Sequence, residues 1–348
     1  FVYLQAQIYS YEKLLHNRLM VYIKLPREEE RRLSFYLAME EYVAREVDVH
    51  DAFFIWQVLP SVIFGRNQLI ENEVNIDYCR RNGVMMYRRK SGGGCVYADK
   101  SNMMLSFITS SDCVSLTYNK YIMMVVDALH KIGIPATANG RNDIMIEGRK
   151  VSGNAFYHIP GRSIVHGTML YDTDMRNMTA CITPDDEKLL SKGVKSVRQH
   201  IALLKDYTTI PIDMVRKSII ENVCDTTMTL TDSDVEKIEE MEKEYLTDDF
   251  IYGNNPKYTV IRKKRIENVG TIEARMEVKN DTIRDIDLKG DFFLTGDIDA
   301  IRNALKGVSL NHDDIIAALP DNISEIIMNL NKDDLAGVIL KQKTKEQS

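Results

Sequence analysis

Three consecutive glycines, Gly92-Gly93-Gly94, follow Arg88-Arg89-Lys90-Ser91 and precede Cys95-Val96-Tyr97. Glycine gives up more backbone freedom than any other residue on entering a helix or strand, so the run reads as a loop between the apolar segments that flank it. With no side chains to cover them, its N–H groups are open to an anion or a flat ligand. Arg88 and Arg89 add planar, permanently charged forks that match phosphate or carboxylate. The segment reads as an anion cradle suited to a nucleotide; a flexible surface loop beside arginines is the bland alternative. Neither familiar nucleotide signature applies. No Lys-Ser or Lys-Thr follows the last glycine, and Tyr97 stands where a dinucleotide fingerprint needs another small residue.

The segments around this loop mix helical and strand periods. Leu33, Tyr36, Met39, Glu40, Val43 and Val47 recur at helical spacing and predict a helix over about 33–48. Phe53 to Val58 and Val62 to Phe64, split by Pro60-Ser61, read as a strand pair. A helix over 78–82 should stop at Gly83, and a strand over 84–87 should deliver the glycine loop. Further strands are expected at 105–108, 144–147, 151–157 and 164–171, with Glu147-Gly148-Arg149 as a tight hairpin turn. Tyr118, Ile122, Val125, Leu129 and Ile132 mark a helix ended by Gly133 and Pro135. Two more helices are expected at 212–224 and 232–246. After Gly253-Asn254-Asn255-Pro256 the pattern changes. Ile272, Ala274, Met276 and Val278 alternate with Glu273, Arg275, Glu277 and Lys279, predicting a strand with one dry and one wet face. Asn280-Asp281 turns it into a second strand over 282–288, and helices near 297–305, 311–319 and 332–340 complete a small α+β unit. The predicted organisation is an N-terminal extension (1–19), a large domain (20–250) and a small C-terminal domain (251–348), with a polar tail after Lys341.

Length and composition fit this plan. A chain of 348 residues holds one large domain and a smaller one. The net charge of -6 argues against general nucleic-acid binding. Charges interrupt every apolar stretch, including 1–19, so neither a membrane-spanning helix nor a signal-peptide core is expected. The five cysteines are scattered with no close C-x-x-C pair, which disfavours a zinc site or disulfide framework and fits a reducing, cytoplasmic setting.

Three further clusters carry candidate chemistry. Gly140-Arg141-Asn142-Asp143 sets two oxygen-bearing side chains together, able to hold a hard cation, although the same residues make ordinary turns. Lys150 opens a strand whose next residues, Val151-Ser152-Gly153-Asn154, are mostly small or polar. A lysine fixed there can neutralise charge on a phosphoryl oxygen; a solvated hairpin lysine is the bland reading. His166-Gly167-Thr168 adds an imidazole, which is either chemical or a hydrogen-bonded packing group.

Taken in order, these pieces resemble the lipoate–protein ligases. The resemblance rests on Arg89-x-Ser91-Gly92-Gly93-Gly94-x-Val96-Tyr97 with Asp99 and Asn102, then Gly140-Arg141-Asn142-Asp143 and Lys150-Val151-Ser152-Gly153-Asn154-Ala155. His166-Gly167-Thr168-x-Leu170 and Lys192-Gly193-x-Lys195-Ser196-Val197-Arg198 complete it. It runs from about Met20 to about 340. It implies an α/β (α+β) architecture: a mixed β-sheet catalytic domain of the biotin/lipoate-ligase kind with helices packed on it, followed by the family's α+β accessory domain. The implied reaction has two steps. Lipoate's carboxylate attacks the α-phosphorus of ATP to give lipoyl-adenylate and pyrophosphate, and the adenylate then acylates a lysine of a lipoyl domain. Implied acceptors are the E2 subunits of 2-oxoacid dehydrogenases and the glycine-cleavage H protein, with ATP and Mg²⁺ as cofactors and a monomer as the working state.

The resemblance also implies roles. Lys150 bridges the attacking carboxylate and the α-phosphate, and Arg89 serves the same region. Gly94, Cys95, Val96 and Tyr97 meet the nucleotide, while Asp143 with Asn142 holds the metal. Gly93 and His166 join Lys150 and Arg89 around lipoate, and Trp56, Val62 and Val96 read either as walls of its tunnel or as ordinary core. Burying about four methylenes of its tail contributes roughly 3 kcal/mol, which favours an apolar tunnel. The chain departs from the family's usual residues at Cys95, Ala98 and Val165; Cys95 reads as a small buried hydrophobe. Rival readings are an octanoyl- or lipoyltransferase of the same fold that does not activate free lipoate, and a non-catalytic lipoate-binding protein. One transferase branch needs a cysteine three positions before the His-Gly pair, where this chain has Ser163.

Overall fold

The computed structural model describes residues 19–68, 70–110, 114–139, 142–182, 200–252, 260–279 and 282–340. The N-terminal extension up to residue 18, Gly140-Arg141, the Lys192–Arg198 motif, the Gly253–Pro256 linker, the Asn280-Asp281 turn and the polar tail lie outside the described residues. The chain divides into two compact units, each drawn from several segments. The first takes residues 1–58, 100–173 and 199–243, and the second takes 59–99, 174–198 and 244–348.

The first unit is built on an eight-stranded mixed sheet in the order β11-β1-β2-β6-β10-β9-β8-β7. Its strands are β1 (Met20–Lys24), β2 (Asp51–Trp56), β6 (Asn102–Thr109), β7 (Thr137–Ala138), β8 (Asp143–Ile146), β9 (Arg149–Ile159), β10 (Arg162–Leu170) and β11 (Thr226–Thr229). β1 runs parallel to β2 and β11, and the pairs from β2 through β7 are antiparallel. All eight residues of β6 are buried, because helices cover both faces. Ser106 points to α1 (Leu33–Glu46), where it bonds Glu40, and the next residue, Phe107, stacks on Tyr121 of α2 (Val114–Lys131). Residues 33–44 of α1 are all buried, since Ser34 and Tyr42 on its outer side bond Glu242 and Asp234 of a further helix over Asp232–Tyr245. α2 is tied down by charge: Lys120 Nζ lies 2.6 Å from Oδ2 of fully buried Asp51, whose other oxygen accepts from Thr109. Burial alone would raise the Asp51 carboxyl, but the hydrogen bonds from Lys120 and Thr109 and the lysine's charge hold it below the usual range.

β8 and β9 are joined at Glu147-Gly148, whose φ values of 50° and 73° are both positive, as a two-residue hairpin turn requires. The turn pairs Ile146 with Arg149 and Met145 with Lys150, and a bulge between Ile144 and Met145 then shifts the register by one residue, which sets Asp143 opposite Gly153.

The second unit holds two three-stranded sheets. In one, β3 (Ser61–Phe64) lies between β4 (Met85–Arg88), parallel to it, and β5 (Val96–Ala98), antiparallel. The expected pairing of β3 with β2 does not occur. β2 is claimed on both edges by β1 and β6, so β3 takes as partners the two strands that flank the glycine loop. A helix over Ile76–Arg81, capped by Asn75, ends before Gly83, whose φ of 65° suits glycine. The other sheet, β12-β13-β14 (Val260–Ile266, Gly270–Lys279, Thr282–Gly290), buries Ile272, Ala274 and Met276 in a core shared with helices over Ile298–Leu305, His312–Ala318 and Lys332–Leu340. Its polar face is drier than alternation predicts. Glu273 and Asp287 are only 6% and 7% exposed, and are balanced by Arg275 at 2.8 Å and Lys289 at 2.9 Å.

Candidate active site

In the first unit, the hairpin β8–β9 presents Lys150 and Asp143 together. Lys150 Nζ lies 2.7 Å from Asp143 Oδ1, with the lysine side chain 40% and the aspartate 19% exposed. The lysine backbone is anchored separately, because its carbonyl accepts from Ala202 N–H at 2.8 Å. Gly153 makes the arrangement possible. A Cβ there would lie 2.6 Å from Lys150 Cε and 2.7 Å from Nζ, so only glycine leaves room for the ammonium to lie across the strand. Asp143 is held in turn by Asn139, whose Nδ2 donates to Oδ2 and whose Oδ1 accepts from the Asp143 N–H, both at 3.1 Å.

Asn142 is pinned to the same hairpin. Its carbonyl accepts from Asn154 Nδ2 at 2.8 Å and from Asn154 N–H at 3.1 Å, and its own Nδ2 donates back to the Asn154 carbonyl. Asn154 reaches it because Gly167 on β10 has no side chain: a Cβ would fall 1.8 Å from Asn154 Oδ1. The two glycines of the Ser-Gly-Asn and His-Gly-Thr motifs thus make room for particular polar side chains. No three His, Cys, Asp or Glu side chains group around a metal position among the described residues. A single carboxylate, 19% exposed, suits a Mg²⁺ ion carried mainly by substrate phosphates and water, and does not suit an all-protein cage.

His166 and Trp56 are joined by a buried polar chain. Trp56 Nε1 donates to Ser106 Oγ (2.9 Å), Ser106 Oγ donates to Glu40 Oε1 (2.6 Å), and Glu40 Oε2 meets His166 Nδ1 at 2.8 Å. Glu40 is fully buried, and its two oxygens each face a donor, as a carboxylate in such a place requires. Trp56 stacks on Tyr36 with centroids 4.8 Å apart, and both line a cleft of about 830 Å³ with Tyr22, Met39 and Arg216. His166, Thr168 and Ser106 share one face of the sheet: Thr168 pairs with Gly153 and His166 with Ser106. Ser163 is buried and bonded to His158 Nδ1 at 3.0 Å.

In the second unit, Arg89 is turned into the glycine loop. Its guanidinium, 5% exposed, donates to the carbonyls of Ile63 (3.0 Å), Gly92 (2.6 Å) and Gly94 (2.8 Å) and to Ser91 Oγ (2.9 Å). Burial draws its pKa down to about 10, which leaves it charged at neutral pH. The three glycines are not equivalent. A Cβ on Gly92 would lie 2.5 Å from the Phe292 carbonyl, and Gly93, at φ 85°, has the Phe293 ring 3.1 Å from its Cβ position. Only Gly94 faces open space, so the bare backbone expected of all three is offered by one. Cys95 is half-buried, more exposed than the small buried hydrophobe expected there. Val62 pairs with Tyr97 inside the β3 sheet, and both side chains are buried.

The sequence motifs located Lys150, Asp143, Asn142 and Arg89; Glu40, Ser106 and Asn139 were not singled out. Glu40 carried a readable signal, a carboxylate on the apolar face of a helix.

Two family models cover most of the chain: the lipoyl protein ligase A/B catalytic domain over residues 33–224, and the bacterial lipoate protein ligase C-terminus over 255–339. A lipoate-protein ligase of Bacillus subtilis, LplJ, is 34% identical over 316 residues, 87% of this chain and 95% of the relative. The chain belongs to the lipoate–protein ligase family. Among solved structures, the bipartite lipoate protein ligase of Thermoplasma acidophilum, described with its E2 lipoyl domain, is 28% identical with a TM-score of 0.62, covering 70% of this chain and all of that one. A lipoate-protein ligase A bound with ATP is 26% identical with a TM-score of 0.59, covering 68% and 99%. Membership makes the chain a ligase of mixed α/β fold. No helix among the described residues is long and apolar enough to cross a membrane.

Proposed function

We propose that the chain activates lipoate with ATP, releasing pyrophosphate, and transfers the lipoyl group to a lysine of lipoyl domains such as those of E2 subunits and H protein. The observation that carries this reading is the Lys150 ammonium lying over Gly153, in a member of a family with an ATP-bound and a lipoyl-domain-associated relative. A carboxylate and a triphosphate repel each other, and an ammonium brought between them lowers the barrier where charge develops. Losing one such preorganised donor costs roughly 3–4 kcal/mol of barrier. Arg89 contributes by shaping the glycine loop, whose open Gly94 suits a phosphate or ribose oxygen, with Cys95, Val96 and Tyr97 following it along the nucleotide.

Mg²⁺, held by Asp143 beside Asn142, would supply the second positive charge that phosphoryl chemistry needs. His166 and Trp56, and Val62 with Gly93, are assigned to lipoate. In sequence, residues 20–250 act as the catalytic segment and 251–348 as the accessory segment, in line with the two matched models. In the second step the acceptor lysine's neutral amine attacks the acyl carbon, the amide C–N bond forms and AMP leaves. The test is pyrophosphate release on mixing the chain with ATP, Mg²⁺ and lipoate, followed by acylation of a purified lipoyl domain. Turnover only from an acyl-carrier-protein thioester would replace this reading with a transferase.

A further inference from the structure

The Lys150–Asp143 pair poses an electrostatic difficulty for the reaction proposed above, and the resolution identifies a second role for Asp143. With Nζ 2.7 Å from Oδ1, the ammonium is already neutralised by a carboxylate. Any phosphate or carboxylate oxygen that approaches the same nitrogen also approaches Asp143, and two anions within a few ångströms repel by several kcal/mol even at an effective dielectric constant near 20. Asp143 cannot swing away freely, because Asn139 grips both its Oδ2 and its N–H. The lysine can move: its side chain is 40% exposed, and Gly153 beneath it offers a smooth backbone surface.

We propose that Asp143 is a positioning residue that exchanges partners. Without nucleotide it parks the Lys150 ammonium over Gly153. When a nucleotide arrives with a divalent cation, the cation takes Oδ1 and the ammonium is released toward the reacting carboxylate and α-phosphate. The cation then removes the repulsion and sets the lysine free in one event, so nucleotide without metal leaves Lys150 parked. This inference rests on the ATP-dependent reading of the site and adds an order of events to it.

The test observes Lys150 directly, in the full-length chain labelled with ¹³C at lysine Cε, its NMR signal identified by its absence in Lys150→Arg. The probe is a non-hydrolysable ATP analogue with a methylene bridge between the α and β phosphorus atoms, added in EDTA and then with excess Mg²⁺. The expected result is a signal that stays near its free position with analogue alone and shifts only when Mg²⁺ follows. In Asp143→Asn the signal should start displaced and no longer respond to Mg²⁺. Gly153→Ala, which leaves the carboxylate intact, should displace it partway and serves if Asp143→Asn does not fold. A full shift with analogue in EDTA, or an Asp143→Asn signal at the wild-type position, overturns the proposal. Pyrophosphate release is measured in parallel on the wild-type chain given ATP, Mg²⁺ and lipoate in place of the analogue. Release without the metal-dependent shift removes only this inference, whereas the shift without any release removes the ligase reading.

Discussion

The ammonium of Lys150 and the missing side chain of Gly153 occupy adjoining space: a Cβ at 153 would stand 2.7 Å from Nζ. Gly153→Ala should therefore displace the lysine tip while leaving the fold nearly unchanged, since a flexible side-chain end yields cheaply. The methyl group also obstructs the backbone surface along which the ammonium moves toward the substrates, and misplacing a catalytic group by about 1 Å costs on the order of 10²-fold in rate. Pyrophosphate release should fall by about that factor with the midpoint of thermal unfolding within a degree or two of wild type. A large loss of stability would show that the strand itself cannot accept a methyl group.

Arg89→Lys is expected to behave in the opposite way. The guanidinium serves three carbonyls and a hydroxyl from one buried plane, which a single ammonium cannot reproduce. Leaving even one of these carbonyls unpaired costs about 1–3 kcal/mol. Denaturant titration should show a stability loss of about 2 kcal/mol or more. A variant as stable as wild type would mean the loop holds its shape without the fork.

Within the loop, Gly93→Ala and Gly94→Ala should separate cleanly. Position 93 has φ 85° and meets both Arg89 and the Phe293 ring, so alanine there should cost at least about 1–2 kcal/mol. Position 94 has open space, and alanine should leave the unfolding midpoint unchanged. Equal effects at the two positions would contradict the loop geometry.

Acid stability should report on Asp51. Its folded pKa lies below its unfolded value near 3.8, so the stability it contributes is complete above about pH 4 and is lost as pH falls through the depressed folded value. Lys120→Met removes the charge and one of the hydrogen bonds that hold the carboxyl down, leaving burial opposed only by Thr109 and His50. The variant should lose about 2 kcal/mol at neutral pH, discounted for the partial exposure of Lys120, and should begin acid unfolding at a higher pH than wild type. Identical acid profiles by circular dichroism would rule this out.

Local patterns carried part of the fold and site. The helix over 33–46, the Glu147-Gly148 turn and the alternating strand at 270–279 were legible because their cues span a few residues. The pairing of β3 was not, since the chain break at Pro60 suggests a hairpin while the partners that win lie up to 37 residues away. Lys150 and Asp143 stood out as charged residues in motifs of small ones, but their contact depends on hairpin register. Glu40 meets His166 across 126 residues, and no local pattern announces such a pair. The motif glycines were visible as letters; their reason, room for Lys150 at 153 and for Asn154 at 167, required the side chains around them.

The carbonyl of Phe292, pressed against Gly92 from two hundred positions further along, makes those stretches interdependent as heritable text. A hybrid that grafts a relative's tail onto residues 1–250 would import a segment shaped for a different loop. Its success should track the fit of that carbonyl against Gly92 more closely than overall percentage identity.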